Sequence, residues 1–236
     1  MTVEVPFFEQ AYQQAYRAEP GSSGRVPWDI GRAQPSVVAL ADAGAFSGAV
    51  LDIGCGLGGN AIYLAGRGLE VTGIDSAPSA VRMATERAAA EGVAVEFAVA
   101  DATSLAGYEN RFDTILDSGL YHCLGQDDRI TYVAALARVG RPGARLHLLS
   151  FTDELPDDLP TAVSEANLRA NITAPWVIEQ LTTTQYETAM TPEQLHSSVE
   201  EMNGGDSVTT ETFADLETGD EGRAWFTAWH LVARLP

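Results

Sequence analysis

The sequence predicts an α/β fold built on a doubly wound, mostly parallel sheet. From residue 48 onward, short runs rich in Val, Ile and Leu alternate with longer Ala-rich amphipathic segments, the pattern of successive strand–helix–strand units. A glycine cluster, LDIGCGLGG (51–59), lies behind the first apolar run and ahead of a helical stretch. At 236 residues and 45% hydrophobic content, the chain can bury one full core, and no apolar run is long enough to span a bilayer.

Ahead of the sheet, PFFEQAYQQAYR (6–17) predicts a helix with Phe7, Phe8, Ala11, Tyr12 and Ala15 on one face, and QPSVVALADAG (34–44) predicts a second. The connecting GSSGRVPWDIGR has the Gly, Ser and Pro content of a loop. Its Trp28 needs somewhere to bury a large ring, either as a core anchor or as part of a ligand lid. Strands are expected at AVLDIG (49–54), EVTGID (70–75), AVEFAVAD (94–101), FDTILDSG (112–119) and ARLHLLSF (144–151), with helices between them. WVIEQLTTTQYET (176–188) and TAWHLVARLP (227–236) add two more, for seven in all. The stretch 190–223 is acidic and weakly patterned.

Charge narrows the function. With 33 acidic against 14 basic residues the formal charge is −19, a field that repels phosphate backbones and makes nucleic acid a poor partner. All 14 basic residues are Arg, so chemistry that needs a lysine, such as a Schiff base or a P-loop, is excluded. Cys55 and Cys123 are too few for a disulfide framework and lack zinc-ligand spacing. The four histidines, at 122, 147, 196 and 230, show no ligand spacing either, so no metal is expected. The N-terminus lacks the pattern of a secretory signal, which points to the cytoplasm.

Gly54, Gly56 and Gly59 satisfy GxGxxG, and Asp75 ends the second strand about twenty residues on, as nucleotide-binding folds require. Glycines let the backbone turn tightly against a ligand, and a carboxylate beyond the second strand accepts hydrogen bonds from ribose hydroxyls. A nicotinamide dinucleotide would meet the same demands. The run Asp52-Ile53-Gly54-Cys55-Gly56-Leu57-Gly58 also reads as DxGxGxG, and is followed by GID ending in Asp75 and VAD ending in Asp101. With FDTILDSG as fourth strand, the chain resembles the class I S-adenosylmethionine-dependent methyltransferases from about residue 25 to its end.

That resemblance implies a Rossmann-like, seven-stranded sheet whose last strand is antiparallel, with an N-terminal helical lid. It divides one domain into lid helices (1–47), a cofactor-binding core (48–151), and a substrate-side helix, final strands and acidic insertion (152–236). It implies that Gly54, Cys55 and Gly56 line the methionine part of S-adenosyl-L-methionine through their backbone, with Asn60 adding a hydrogen bond, and that Asp52 belongs to the cofactor site or else caps the loop. Asp75 with Ser76 would take the ribose, Asp101 with Ala102 the adenine edge, and Asp117-Ser118 would flank the sulfonium. The segments PWDIGRAQP (27–35) and DSGLYHCL (117–124) resemble the thiopurine methyltransferase-like branch, and within it the actinobacterial enzymes that methylate hydroxyquinolones and related heterocycles. On that likeness Trp28 and Gln34 would close over the methionine chain. S-adenosyl-L-homocysteine would be the product.

Methyl transfer is an in-line displacement whose leaving group is already in place, so alignment alone can supply much of the rate. A weakly acidic acceptor would want a base; His122, assisted by Tyr121, is the candidate because it follows the fourth strand and titrates near neutrality. The acceptor is expected to be a small heterocycle, walled by Phe8, Tyr12, Phe151 and Trp176, and the chain a monomer or homodimer. An NAD-dependent oxidoreductase and a protein methyltransferase are the alternatives.

Overall fold

A computed structural model describes residues 5–17, 26–153, 162–202, 213 and 216–236. Seven strands form one continuous sheet: β1 (Ala49–Ile53), β2 (Glu70–Asp75), β3 (Glu96–Val99), β4 (Phe112–Ser118), β5 (Gly140–Phe151), β6 (Val177–Glu187) and β7 (Trp225–Arg234). Their order is β3-β2-β1-β4-β5-β7-β6. The first five pair in parallel, and β7 runs antiparallel to both of its neighbours. Order reverses between β1 and β4, which opens a crevice at the carboxyl ends of those strands.

The helices are α1 (Val5–Arg17), α2 (Pro35–Asp42), α3 (Gly59–Gly66), α4 (Pro78–Glu91), α5 (Gln126–Val139), α6 (Glu165–Asn171) and α7 (Pro192–Met202). Local signals fix several ends. Pro78 opens α4, where its missing N–H costs nothing, and Gly92 closes it in a left-handed cap. Ser164 caps α6 by accepting the Asn167 N–H at 3.1 Å.

Every residue of β1 is buried because both faces of the sheet are covered. Leu51 and Ile53 pack with Tyr132 and Leu136 of α5 and Leu168 of α6, while Val50 packs on the other face with Val37 of α2 and Leu64 of α3. This two-sided burial explains the unbroken apolar run, where a one-sided sheet would alternate.

Three differences from expectation have local causes. β5 begins at Gly140, ahead of the expected 144, because Gly140 pairs with Phe112 across a register shift. β3 stops at Val99 because the Asp101 side chain turns the chain onto Thr103, accepting its N–H at 2.8 Å and its hydroxyl at 2.7 Å. The weakly patterned stretch 190–223 contains α7, while 203–212 and 214–215 lie outside the described residues. So do 18–25, which include 21–25 of the expected Trp28 loop, and 154–161 of the expected substrate-side region. No helix of the described residues is long and apolar enough to cross a membrane.

Candidate active site

The glycine loop hangs from β2: the N–H groups of Gly54 and Cys55 both donate to the Ile74 carbonyl, at 2.7 and 3.0 Å. Gly54 and Gly56 have φ of 72° and 52°, a region that side chains resist. Space forbids side chains too. A Cβ on Gly54 would stand 2.9 Å from Leu120 Cβ, and one on Gly56 would stand 2.9 Å from the Tyr12 hydroxyl. The loop therefore lies between the segment after β4 and helix α1. Cys55 is buried beneath it, and burial pushes its thiol well above the ordinary range, the wrong direction for a nucleophile.

Three carboxylates converge at the ends of β1, β2 and β4. Asp75 accepts the N–H of Gly56 at its Oδ2 and of Ala77 at its Oδ1, both at 2.9 Å. Each oxygen retains a lone pair, enough to accept two hydroxyl donors. Asp52 is 1% exposed; the Ala61 N–H reaches its carboxylate, yet its Oδ2 has no partner. Burial pushes Asp52 up to about 7, with Asp117 and Asp75 adding like charge.

Asp117 has another task than the sulfonium contact expected of it. Its carboxylate is fully buried and accepts the N–H of Leu120 at 2.8 Å, the N–H of Tyr121 at 3.1 Å and the Tyr132 hydroxyl at 2.7 Å. Burial still raises it to about 6. It thus shapes the turn that presses Leu120 against Gly54. Ser118 turns its carbonyl to the Tyr186 hydroxyl, 3.1 Å away. On the other flank Asp101 is exposed, with one oxygen spent on Thr103, and Ala102 follows it half-buried.

The N-terminal cover is built by long-range contacts. Tyr12 is buried against Val26, Leu57, Ala77 and Ala80, with Phe8, Ala11 and Trp28 around it. Glu9 locks α1 to α4 by accepting the Ser79 N–H at 3.0 Å and its hydroxyl at 2.7 Å. Trp28 packs against the Tyr12 cluster, and its indole N–H donates to the Tyr12 hydroxyl above the glycine loop. Gln34 is not free for a ligand. Its amide pairs with the backbone of Glu187, donating to the carbonyl at 2.9 Å and accepting the N–H at 3.1 Å. Asn60 accepts the Gln34 N–H at 2.9 Å and so ties this segment to α3.

Sequence reasoning missed Glu187. Its carboxylate is 1% exposed and takes Arg32 at 2.7 Å and Arg223 at 3.4 Å. Nothing local marks it, because its partners come from both ends of the chain.

The two catalytic candidates part company. Tyr121 is fully buried; its hydroxyl donates to Asn167 and accepts from Asn171, both at 2.9 Å, which fastens the turn after β4 to α6. This corrects its expected place beside the acceptor. His122 stacks on Phe151 with centroids 4.3 Å apart and planes 11° from parallel. Its Nδ1 accepts the Phe151 N–H at 3.3 Å. Burial, with Arg129 adding to it, pushes the imidazole down to about 3, so it is neutral at working pH. With Nδ1 taken, the remaining Nε2 carries the hydrogen and is a donor; the geometry does not offer the base expected from the sequence. Phe151 also meets Tyr186 and Phe226 edge-on. Trp176, expected in the same wall, lies in the α5-side core and donates to the Val133 carbonyl.

Residues 50–143 match the family described as "Methyltransferase domain". The chain is 32% identical over 231 residues to the 2-heptyl-1-hydroxyquinolin-4(1H)-one methyltransferase of Mycobacteroides abscessus, covering 95% of this chain and 96% of that one. The chain belongs to the S-adenosylmethionine-dependent methyltransferases. A structure solved for the conversion of a disulfide bond into a thioacetal group during echinomycin biosynthesis is 35% identical, with TM-score 0.76, 98% of this chain and 92% of that chain covered. A SAM-dependent methyltransferase from Anabaena variabilis shares the fold at TM-score 0.70 and 13% identity, over 98% and 95% of the two chains.

For this methyltransferase the cofactor is S-adenosyl-L-methionine and the product S-adenosyl-L-homocysteine. The site fits such a group on its own chemistry. A glycine cradle without room for side chains, a carboxylate with spare lone pairs after β2, and an unpartnered carboxylate oxygen under the loop suit a ligand bearing hydroxyls and positive charge.

Proposed function

We propose that the chain methylates an O, N or S atom of a small aromatic heterocycle. The observation that carries this reading is the aromatic cluster of His122, Phe151, Tyr186 and Phe226 beside the turn after β4. His122, Tyr186 and Phe226 are buried and Phe151 is half-buried, so Phe151 is the ring of this cluster that would meet a flat acceptor. The hydroxyquinolone methyltransferase, similar along nearly its whole length, favours the same acceptor class. The segments 27–35 and 117–124 favour the thiopurine methyltransferase-like branch.

In this proposal Gly54, Cys55 and Gly56 hold the methionine end through their backbone, with Asp52 beneath it. Asp75 and Ser76 take the ribose, and Asp101 with Ala102 the adenine edge. The bound cofactor supplies an electrophilic methyl group on a sulfonium that leaves as a thioether. Tyr12 and Trp28 cover the loop and exclude water, and the stacked His122–Phe151 pair aligns the acceptor ring. His122 Nε2–H donates to a heteroatom of that ring. No side chain removes a proton, so the acceptor reacts as an ionised oxygen, a thiolate or a neutral nitrogen.

Release of S-adenosylhomocysteine from a panel of hydroxyquinolines, thiophenols, pyridines and a cyclic disulfide tests the class. The disulfide is included because of the echinomycin-related structure. Turnover confined to the ring compounds supports the proposal; turnover only with peptides would move it to the protein methyltransferases. The cytoplasm is the compartment proposed.

A further inference from the structure

We infer that Asp52 is the residue that distinguishes the positively charged cofactor from its neutral product. The inference rests on the cofactor lying at the glycine loop. Asp52, Asp75 and Asp117 sit on three adjacent strands, with Asp52 opposite Gly73 and Ile53 opposite Asp117 in the register. They are 1%, 9% and 0% exposed. Asp75 and Asp117 are each held by several donors, whereas Asp52 keeps one oxygen without a partner.

The ionisable groups facing the three are acids. Glu9 and Tyr12 come from α1, Cys55 from the loop itself, Tyr121 and Cys123 from the turn after β4, Tyr132 from α5 and Tyr186 from β6. Among the arginines, Arg32 and Arg223 pair with Glu187, and Arg129 of α5 lies over the Tyr121 ring. Three carboxylates out of water resist full ionisation, and the one lacking donors is the natural seat of a proton. Burial raises all three carboxylates, Asp52 to about 7 and Asp117 to about 6.

A sulfonium ligand with its ammonium and carboxylate carries a net positive charge, and the thioether product carries none. Cofactor binding therefore favours ionised Asp52 and expels its proton. When transfer returns the S–CH3 electron pair to sulfur, the compensating charge disappears and the proton returns. The same carboxylate that holds the cofactor then loses its grip on the product.

Calorimetry on the full chain at pH 6.5, in two buffers of different ionisation enthalpy, reads the proton count. The ligands are S-adenosylmethionine, S-adenosylhomocysteine and sinefungin, whose amine keeps the positive charge without a transferable methyl. Both cationic ligands are expected to release about half a proton or more, and the product clearly less. The cofactor-to-product affinity ratio should rise about three- to tenfold between pH 5.5 and 8. In Asp52→Asn the extra proton release should vanish and the ratio become flat with pH. Equal proton release for all three ligands, or an Asp52→Asn variant that weakens all of them alike and leaves the pH slope intact, overturns the inference. The pH dependence of the unmodified chain decides the question alone if the variant does not fold. Failure of every ligand to bind would instead refute the cofactor site itself.

Discussion

The hydroxyl of Tyr12 accepts the indole N–H of Trp28 at 2.8 Å, joining helix α1 to the loop that precedes α2. The same hydroxyl sits over Gly56, so one hydrogen bond couples the N-terminal cover to the glycine loop. Tyr12→Phe leaves the ring in its pocket but strands the Trp28 N–H, a loss of about 1–2 kcal/mol. If α1 opens as a unit, its amides should exchange about tenfold faster while those of β1 keep their protection. A uniform change across the chain would show that α1 opens only when everything unfolds.

Asp75→Ala removes the acceptor proposed for both ribose hydroxyls, together about 2–4 kcal/mol of charge-assisted bonding. Calorimetry with S-adenosylhomocysteine should show affinity falling by a factor of about 30 to 1000. The Gly56 and Ala77 N–H groups would also lose their partner, so the melting temperature should be read alongside. Undiminished affinity would take Asp75 out of the site.

Much of this was legible in the sequence where structure is local. β1, β2 and β4 were readable because strands buried on both faces are continuous apolar runs. The glycine loop was readable because only glycine tolerates positive φ at those contacts. What stayed hidden depends on distant partners. Gln34 could be placed near the cofactor, but only the fold shows that Glu187 takes its amide. Asp117 and Tyr121 sit in the right segment, yet side-chain partners from α5 and α6 occupy them: Tyr132 on Asp117, and Asn167 and Asn171 on the Tyr121 hydroxyl. The imidazole of His122 is reactive at neutral pH until burial beside Phe151 removes that property.

His122 therefore carries a changed expectation. His122→Ala should cost a similar, modest factor of about two to ten in turnover on ionised and weakly acidic acceptors alike, through lost stacking and alignment. The pH–rate profile should show no limb from this residue between pH 5 and 9, since its pKa is near 3. A loss of about a hundredfold confined to weakly acidic acceptors would restore the imidazole as a base.

Glu187 should matter for stability beyond what its distance from the reacting atoms suggests. Glu187→Ala leaves Arg32 and Arg223 without their shared buried carboxylate, and such a loss costs about 3–5 kcal/mol. Arg32→Ala should cost less, about 1 kcal/mol, because half of that side chain is in water. Urea midpoints of the two variants compare them directly; similar values would mean that Glu187 contributes no more than a surface pair.

The pH dependence of stability offers a test in which opposing groups can be separated. His122, near 3, and His147, near 4, have folded pKa values below the ordinary 6.5, so they favour folding above pH 6.5 and lose that contribution as pH falls. Asp52, near 7, and Asp117, near 6, are raised above the ordinary 3.8; they favour folding below that value and oppose it as pH rises. Between about pH 4.5 and 6 the unfolded chain binds the histidine protons and the folded chain the aspartate protons, so these four nearly cancel and the parent's stability should be flat with respect to them. Asp52→Asn removes one proton from the folded side alone. Its stability relative to the parent should rise by about 1.4 kcal/mol per pH unit across that window, read from urea midpoints at pH 5 and 6. A variant whose difference from the parent does not change with pH would show that Asp52 is ionised in the folded, ligand-free chain, and that its unpartnered oxygen is charged rather than protonated.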